Sequence, residues 1–153
     1  MKEQCDFPAF TAYRIEENIL HTAMKNVKEL SAKDVEQIND CYLKIGNGNK
    51  VYVLVTFQDF IPISDKAIKV ATENKVQNMR GATAYVVDNL AQRLGIRFFM
   101  NFHKHKFPIA IFGTKDKAII WLREEKRKNM NPELLGLGCK SEGNTARTKL
   151  PII

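Results

Sequence analysis

Two kinds of apolar run alternate along the chain. VYVLVTF (residues 51–57), ATAYVV (82–87) and IAIF (109–112) are short, continuous and rich in β-branched residues. Such runs predict strands buried on both faces. Near the amino end, residues 12–15 and 19–24 instead alternate apolar with polar positions around Glu16-Glu17-Asn18, which predicts a β-hairpin. Between these runs the period changes. Val35, Ile38, Tyr42 and Ile45 recur at helical spacing, Ser31 stands as N-cap with Asp34 at N3, and Leu30 and Val35 suit a hydrophobic staple. Gly46 ends that helix, and Gly46-Asn47-Gly48-Asn49 forms a turn cluster with no Lys-Ser/Thr pair behind it to make a phosphate loop. Three more helices are predicted, over 65 to about 79, 89 to about 104, and 114 to about 128.

The resulting order is ββαβαβαβα. Strands separated by helical crossovers imply an α/β fold: a mixed, mostly parallel sheet with an antiparallel N-terminal hairpin and four helices. At 153 residues the chain is expected to hold one domain. It divides into an arm at 1–11, the domain at 12–128, and a poorly ordered tail at 129–153, where periodicity stops and glycines and polar residues accumulate. The tail's GLGCKSEG follows no strand and lacks dinucleotide-fingerprint spacing.

Composition narrows the function classes. No apolar run approaches the ~18 residues of a membrane span, and MKEQCDF does not resemble a secretory leader, so a cytoplasmic location is expected. Cys5, Cys41 and Cys139 are odd in number and widely spaced, which gives a disulfide framework or zinc site little support. Cys41 reads as a small buried hydrophobe within a helix. The net charge is +7, and between Asn89 and Lys115 five basic residues, Arg93, Arg97, Lys104, Lys106 and Lys115, meet no acid.

Catalytic chemistry finds no anchor in the sequence. His103 and His105 are two residues apart and would diverge on a helix, so they read as basic residues at its C-terminus. His21 has no neighbouring Cys or Asp, and no GxSxG elbow is present. Glu16-Glu17 and Glu124-Glu125 belong to a turn and to a helix surface. The expectation is therefore a non-enzymatic protein with no catalytic residues, no metal site and no cofactor. Nucleic-acid binding is disfavoured because the helix aromatics lie in core register and no RNA-binding signature occurs.

The basic helix carries the best candidate surface. Leu90, Leu94, Phe98 and Phe102 recur every four residues and are expected to face the sheet. Arg93, Arg97 and Asn101 form a second stripe, and Ile96 and Met100 a third. Apolar residues rimmed by arginines suit a partner-binding helix, so Arg93, Ile96, Arg97 and Met100 are the predicted partner-binding residues. Ser64 opens a helix after the central strand, with Ile63 and Ile68 as its staple. It serves as N-cap, and a phosphate there would meet the positive end of the helix dipole.

The matching residues Arg93, Gly95, Ile96, Phe98, Phe99, Asn101, Lys104, Phe107, Pro108, Phe112, Thr114, Ala118, Ile119, Trp121 and Leu122 follow a pattern of small bacterial SpoIIAA-like proteins. Together with the element order and the helix opening at Ser64, the chain from 12 to 128 resembles the STAS fold of anti-sigma-factor antagonists. That resemblance implies non-enzymatic partner switching in bacterial signalling, with Ser64 as the phosphorylated switch. Here the helix opens with QDFIPISDKA, where the antagonists carry an Asp-Ser-Ser-Gly-like turn. The expected function is thus a regulatory protein-interaction module using the loop 58–64 and the Arg93/Ile96/Arg97/Met100 face. Its partner would be a regulator or, in a homodimer, a second copy. The alternative is a binding protein for a small anionic or lipid-like ligand, which requires an apolar cavity beneath the third helix with Arg93 or Arg97 at its mouth.

Overall fold

The computed structural model describes residues 4–59, 61–102 and 105–130, leaving aside the side chains of Asn74 and of residues 99–102. Six strands form one sheet whose spatial order follows the chain: β1 (Gln4–Phe7), β2 (Phe10–Glu16), β3 (Ile19–Met24), β4 (Val51–Phe57), β5 (Arg80–Val86) and β6 (Ile109–Phe112). The first three are antiparallel and β3 through β6 are parallel. The helices are α1 (Ala32–Gly46), α2 (Asp65–Ala71), α3 (Asn74–Met79), α4 (Leu90–Phe102) and α5 (Lys115–Met130). The α/β class and the antiparallel start expected from the sequence are both present.

Three details differ from the sequence reading. Part of the N-terminal arm, Gln4–Phe7, is a strand paired with β2. The helix expected over 65–79 is broken, because Thr72 turns its hydroxyl back onto the Ile68 carbonyl at 2.9 Å and ends α2. Glu73 then opens α3, so the helices number five among the described residues. Third, Cys5 and Cys41 are disulfide-bonded, tying β1 to α1. Sequence spacing gave no hint of this pair, because a strand within the arm is what brings Cys5 to the helix. The expected tail lies outside the described residues from 131 onward, and α5 itself runs to Met130.

Local chemistry explains the ends of α1. Ser31 Oγ accepts from Asp34 N at 3.2 Å while Asp34 Oδ2 accepts from Ser31 N at 3.0 Å, a reciprocal capping box. The helix closes at Asn47, whose φ of 50° is the left-handed conformation. Gly46 is the last helical residue and is small for a packing reason: a Cβ there would lie 2.7 Å from Val51 Cγ1.

Strand alternation divides the core in two. On one face Phe10, Leu20, Val53 and Val55 pack with Ile38, Tyr42 and Ile45 of α1. On the other, Ile19, Tyr52, Leu54 and Ala84 pack with Ala118 and Leu122 of α5. Right-handed crossovers that always step in the same direction along a sheet all fall on one side of it. Hence α1, α2, α3 and α4 share the first face and α5 alone takes the second. Arg123 holds α5 to the hairpin end, its Nη2 2.8 Å from Glu16 Oε2. A cavity lies beneath α4 on this face.

Candidate functional site

The cavity has a volume of about 520 Å³ and is lined by α1, α2, α4 and the face of β4, β5 and β6 that they cover. Volumes of this size suit a small organic ligand. Its walls are largely apolar, with Val55, Ile61, Ile68, Ile96 and Phe98 among them. The loop before α2 forms part of the rim and is held in place by backbone bonds: Leu30 N donates to Pro62 O at 2.8 Å, and Ser64 N to Leu30 O at 3.0 Å.

Among the described lining residues, Arg80 is the one arginine or lysine in this apolar surround. Arg80, the first residue of β5, lines the cavity with its guanidinium between two rings, 4.8 Å from the Tyr42 centroid and 5.3 Å from that of Phe107. Its Nη1 donates to Thr83 Oγ1 at 3.0 Å and its Nη2 to Asn39 Oδ1 at 3.5 Å. Its Nε is buried without a hydrogen-bond partner among the described residues. No carboxylate among the described residues forms an ion pair with it. The nearby phenols do not supply a negative charge either. Burial pushes Tyr85 up to about 12 and raises Tyr42 as well, outweighing the pull of Arg80 in the other direction.

Two buried amides add to the imbalance. Asn39, 6% exposed, leaves Nδ2 unbonded, and Gln92, 3% exposed, leaves both side-chain atoms unbonded. Each such group costs roughly 1–3 kcal/mol when desolvated without a partner. Contrast Gln77 in the same wall, where Nε2 donates to Ala71 O at 3.0 Å and Oε1 accepts from Lys106 N at 2.8 Å. Gln77 is satisfied and structural, whereas Asn39 and Gln92 keep buried atoms with no partner among the described residues.

The residues predicted from sequence are distributed unevenly around this site. Ile96 lines the cavity and does not sit on an outer face. Arg93 and Arg97 are half-buried on α4 and do not line it, so the cation that does is Arg80. The side chain of Met100 lies outside the described residues. Leu90, Leu94 and Phe98, expected against the sheet, are instead 70%, 53% and 61% exposed. The stripe was correctly spaced, but α4 turns Gln92 and Ile96 inward in its place. Phe102 lies outside the described side chains. Ser64 is the N-cap of α2, its Oγ accepting from Ala67 N at 3.1 Å, and is half-buried.

The histidines take separate places. His105 follows α4 and lines the cavity next to Phe107, with ring centroids 5.6 Å apart. His103 lies outside the described residues. His21 is buried on the α5 side of the sheet, Nδ1 2.7 Å from Tyr13 Oη and Nε2 2.9 Å from Thr56 Oγ1. Burial, with a smaller contribution from the charge of Lys115, pushes it down to about 4. Among the described residues no group of three or more His, Cys, Asp or Glu side chains could hold a metal ion. No helix among them is long and apolar enough to cross a membrane.

Residues 13–126 match a family described as a domain of unknown function, DUF7793. The chain belongs to that family. The matched span contains every described residue lining the cavity, while Cys5 of the disulfide falls outside it. Neither a curated protein nor a solved structure matches the chain.

Proposed function

We propose that this protein is a non-enzymatic binder of a small, largely apolar ligand carrying negative charge, held in the cavity beneath α4. The observation that carries the reading is Arg80, a cation lining an apolar cavity with a buried, unbonded Nε and no ion-pair partner among the described residues. Arg80 is half-buried among apolar walls, and an anionic ligand would supply the counter-charge that the described walls do not. The test is titration with the fluorescent probe 1-anilinonaphthalene-8-sulfonate, which joins one negative charge to an apolar ring system. Saturable one-to-one binding is expected in the wild type, weakened in Ile96→Trp, which puts a bulkier side chain into the cavity wall, and retained in Leu90→Ser/Leu94→Ser. Equal binding by Ile96→Trp and wild type, or loss only in the double variant, would place the probe on the outer surface and remove the support for a cavity ligand.

A second reading, the regulatory interaction module of STAS-like type, draws on a different observation. Leu90, Leu94 and Phe98 make an exposed apolar ridge on α4 that ends at the cavity rim, where Phe98 also contributes to the lining. Under this reading the ridge, not the Arg93/Arg97 stripe, meets a protein partner or a second copy of the chain. Leu94→Glu would then abolish capture of that partner at unchanged thermal stability. Ser64 would act as the switch if its phosphorylation released the partner, and Ser64→Asp would mimic that release.

A further inference from the structure

Leu90, Leu94 and Phe98 are exposed and recur every four residues, so they form one continuous apolar strip along α4. We infer that this ridge docks on an anionic lipid bilayer, and that the cavity beneath α4 opens toward that bilayer. The docking stands on the ridge and its charge. Passage of an apolar ligand between bilayer and cavity rests in addition on the cavity-ligand reading.

Charge selects the partner. The only charged residues of α4 are Arg93 and Arg97, each three positions after a ridge leucine and therefore on its flank. An apolar strip flanked by cations is the pattern of a helix lying in a membrane interface, with apolar side chains at the acyl boundary and guanidinium groups at the level of the phosphates. The neighbouring chain extends the same sign. From Asp88 to Lys115 five arginines and lysines stand against one acid, whereas in residues 58–71 Asp59 and Asp65 are balanced by Lys66 and Lys69. The stretch that carries the ridge thus holds an excess of positive charge, which complements an anionic surface.

The position of the cavity favours a bilayer over the protein partner of the second reading. Of the described residues that line the cavity, three are exposed: Pro62, Asp65 and Phe98. Side chains that belong both to the wall and to the outer surface mark where the cavity meets solvent. Phe98 is also a member of the ridge, and Ile61, Pro62 and Ile63, in the loop before α2, make a second apolar segment of the wall next to Asp65. A bilayer laid on the ridge would bring acyl chains to this opening, and an apolar ligand concentrates among acyl chains and not in water. A protein partner would account for the ridge but not for a cavity that opens beside it.

The test is flotation of the full protein with phosphatidylcholine vesicles, with and without about 30% phosphatidylserine, at about 0.1 M salt. The wild type is expected to bind the anionic vesicles at least about tenfold more tightly than the zwitterionic ones. Leu90→Ser/Leu94→Ser should weaken that binding by about tenfold or more. Leu43→Ser/Ile120→Ser, which removes exposed apolar side chains from α1 and α5, should bind as the wild type does. All four positions are exposed, and melting temperatures confirm that both variants fold. Equal loss in the two variants, or no loss in the ridge variant, overturns the assignment to α4. Equal binding to both kinds of vesicle overturns the anionic surface. If neither vesicle binds, the docking falls, and a wild-type dimer that the ridge variant dissociates would give the ridge to a second copy. The sulfonate probe reports on the cavity separately. Vesicle binding without probe binding leaves the docking face and removes the cavity-ligand reading, whereas probe binding without vesicle binding does the reverse.

Discussion

Acidification should destabilise this protein through His21, by an amount the structure lets one work out. The ring is 6% exposed and bonded between Tyr13 and Thr56, and burial holds its pKa near 4 against an ordinary value of 6.5. A depressed folded pKa means that the unfolded chain takes up the proton first. The contribution of neutral His21 is therefore fully present above about pH 6.5 and is lost as pH falls toward 4. At about 1.4 kcal/mol per pH unit the whole gap corresponds to roughly 3 kcal/mol, of which about 2 kcal/mol falls between pH 7 and pH 5. Carboxylates titrate in the same range, so the readout is a difference. Urea unfolding of wild type and His21→Gln at pH 7, 6 and 5 gives two curves. Whatever constant offset glutamine introduces, the wild type should lose about 2 kcal/mol more than the variant across that range. Parallel curves would mean that the folded ring titrates near its ordinary value, and that burial by the sheet and α5 does not exclude its charge.

Three further outcomes follow from the packing. Gln92→Leu removes two buried, unbonded polar atoms and should raise the stability of the ligand-free protein by about 1 kcal/mol, measured by urea unfolding. A decrease would show that Gln92 is satisfied in solution. Gly81→Ala places a Cβ 2.4 Å from ring carbons of the buried Tyr52 and should cost about 1–3 kcal/mol. In the double-mutant cycle with Tyr52→Leu that cost should shrink, whereas simple additivity would locate the strain elsewhere. Cys5→Ser opens a loop of sequence separation 36 and should cost about 3–4 kcal/mol under non-reducing conditions, with dithiothreitol lowering the wild type to the same level. An unchanged wild type under dithiothreitol would argue that the bond does not form.

The parts legible in the sequence were those written in local patterns. The capping box at Ser31 and Asp34, the buried strands and the crossover order each depend on a few neighbouring residues, and all appear as read. The cavity was illegible for a definite reason. Helical periodicity reveals that α4 has an apolar stripe but not which way the stripe points, and here Leu90, Leu94 and Phe98 are left exposed. The inward set includes Gln92, a polar residue that a hydrophobic pattern discards. Arg80 was missed because a lone arginine opening a strand resembles any solvated end. Its significance comes from Tyr42, 38 positions earlier, and Phe107, 27 positions later. The available signal was a cation directly preceding the otherwise buried run 81–84.

The sheet order, which repeats the chain order, also bears on how the protein comes to be made. Each strand pairs only with the strands immediately before and after it in sequence, so no pairing has to wait for a distant segment, and the entropic cost of closing each loop stays small. On a ribosome the sheet could therefore lengthen one strand at a time as the chain emerges, with α1 through α4 covering one side as they appear. The other side, with Ile19, Tyr52, Leu54, Ala82 and Ala84, gains its cover from α5, the last described element. Until α5 is released from the exit tunnel, that side is an open apolar surface on a nearly finished sheet. A nascent chain halted before Lys115 should then be the species that chaperones hold and that aggregates when they do not.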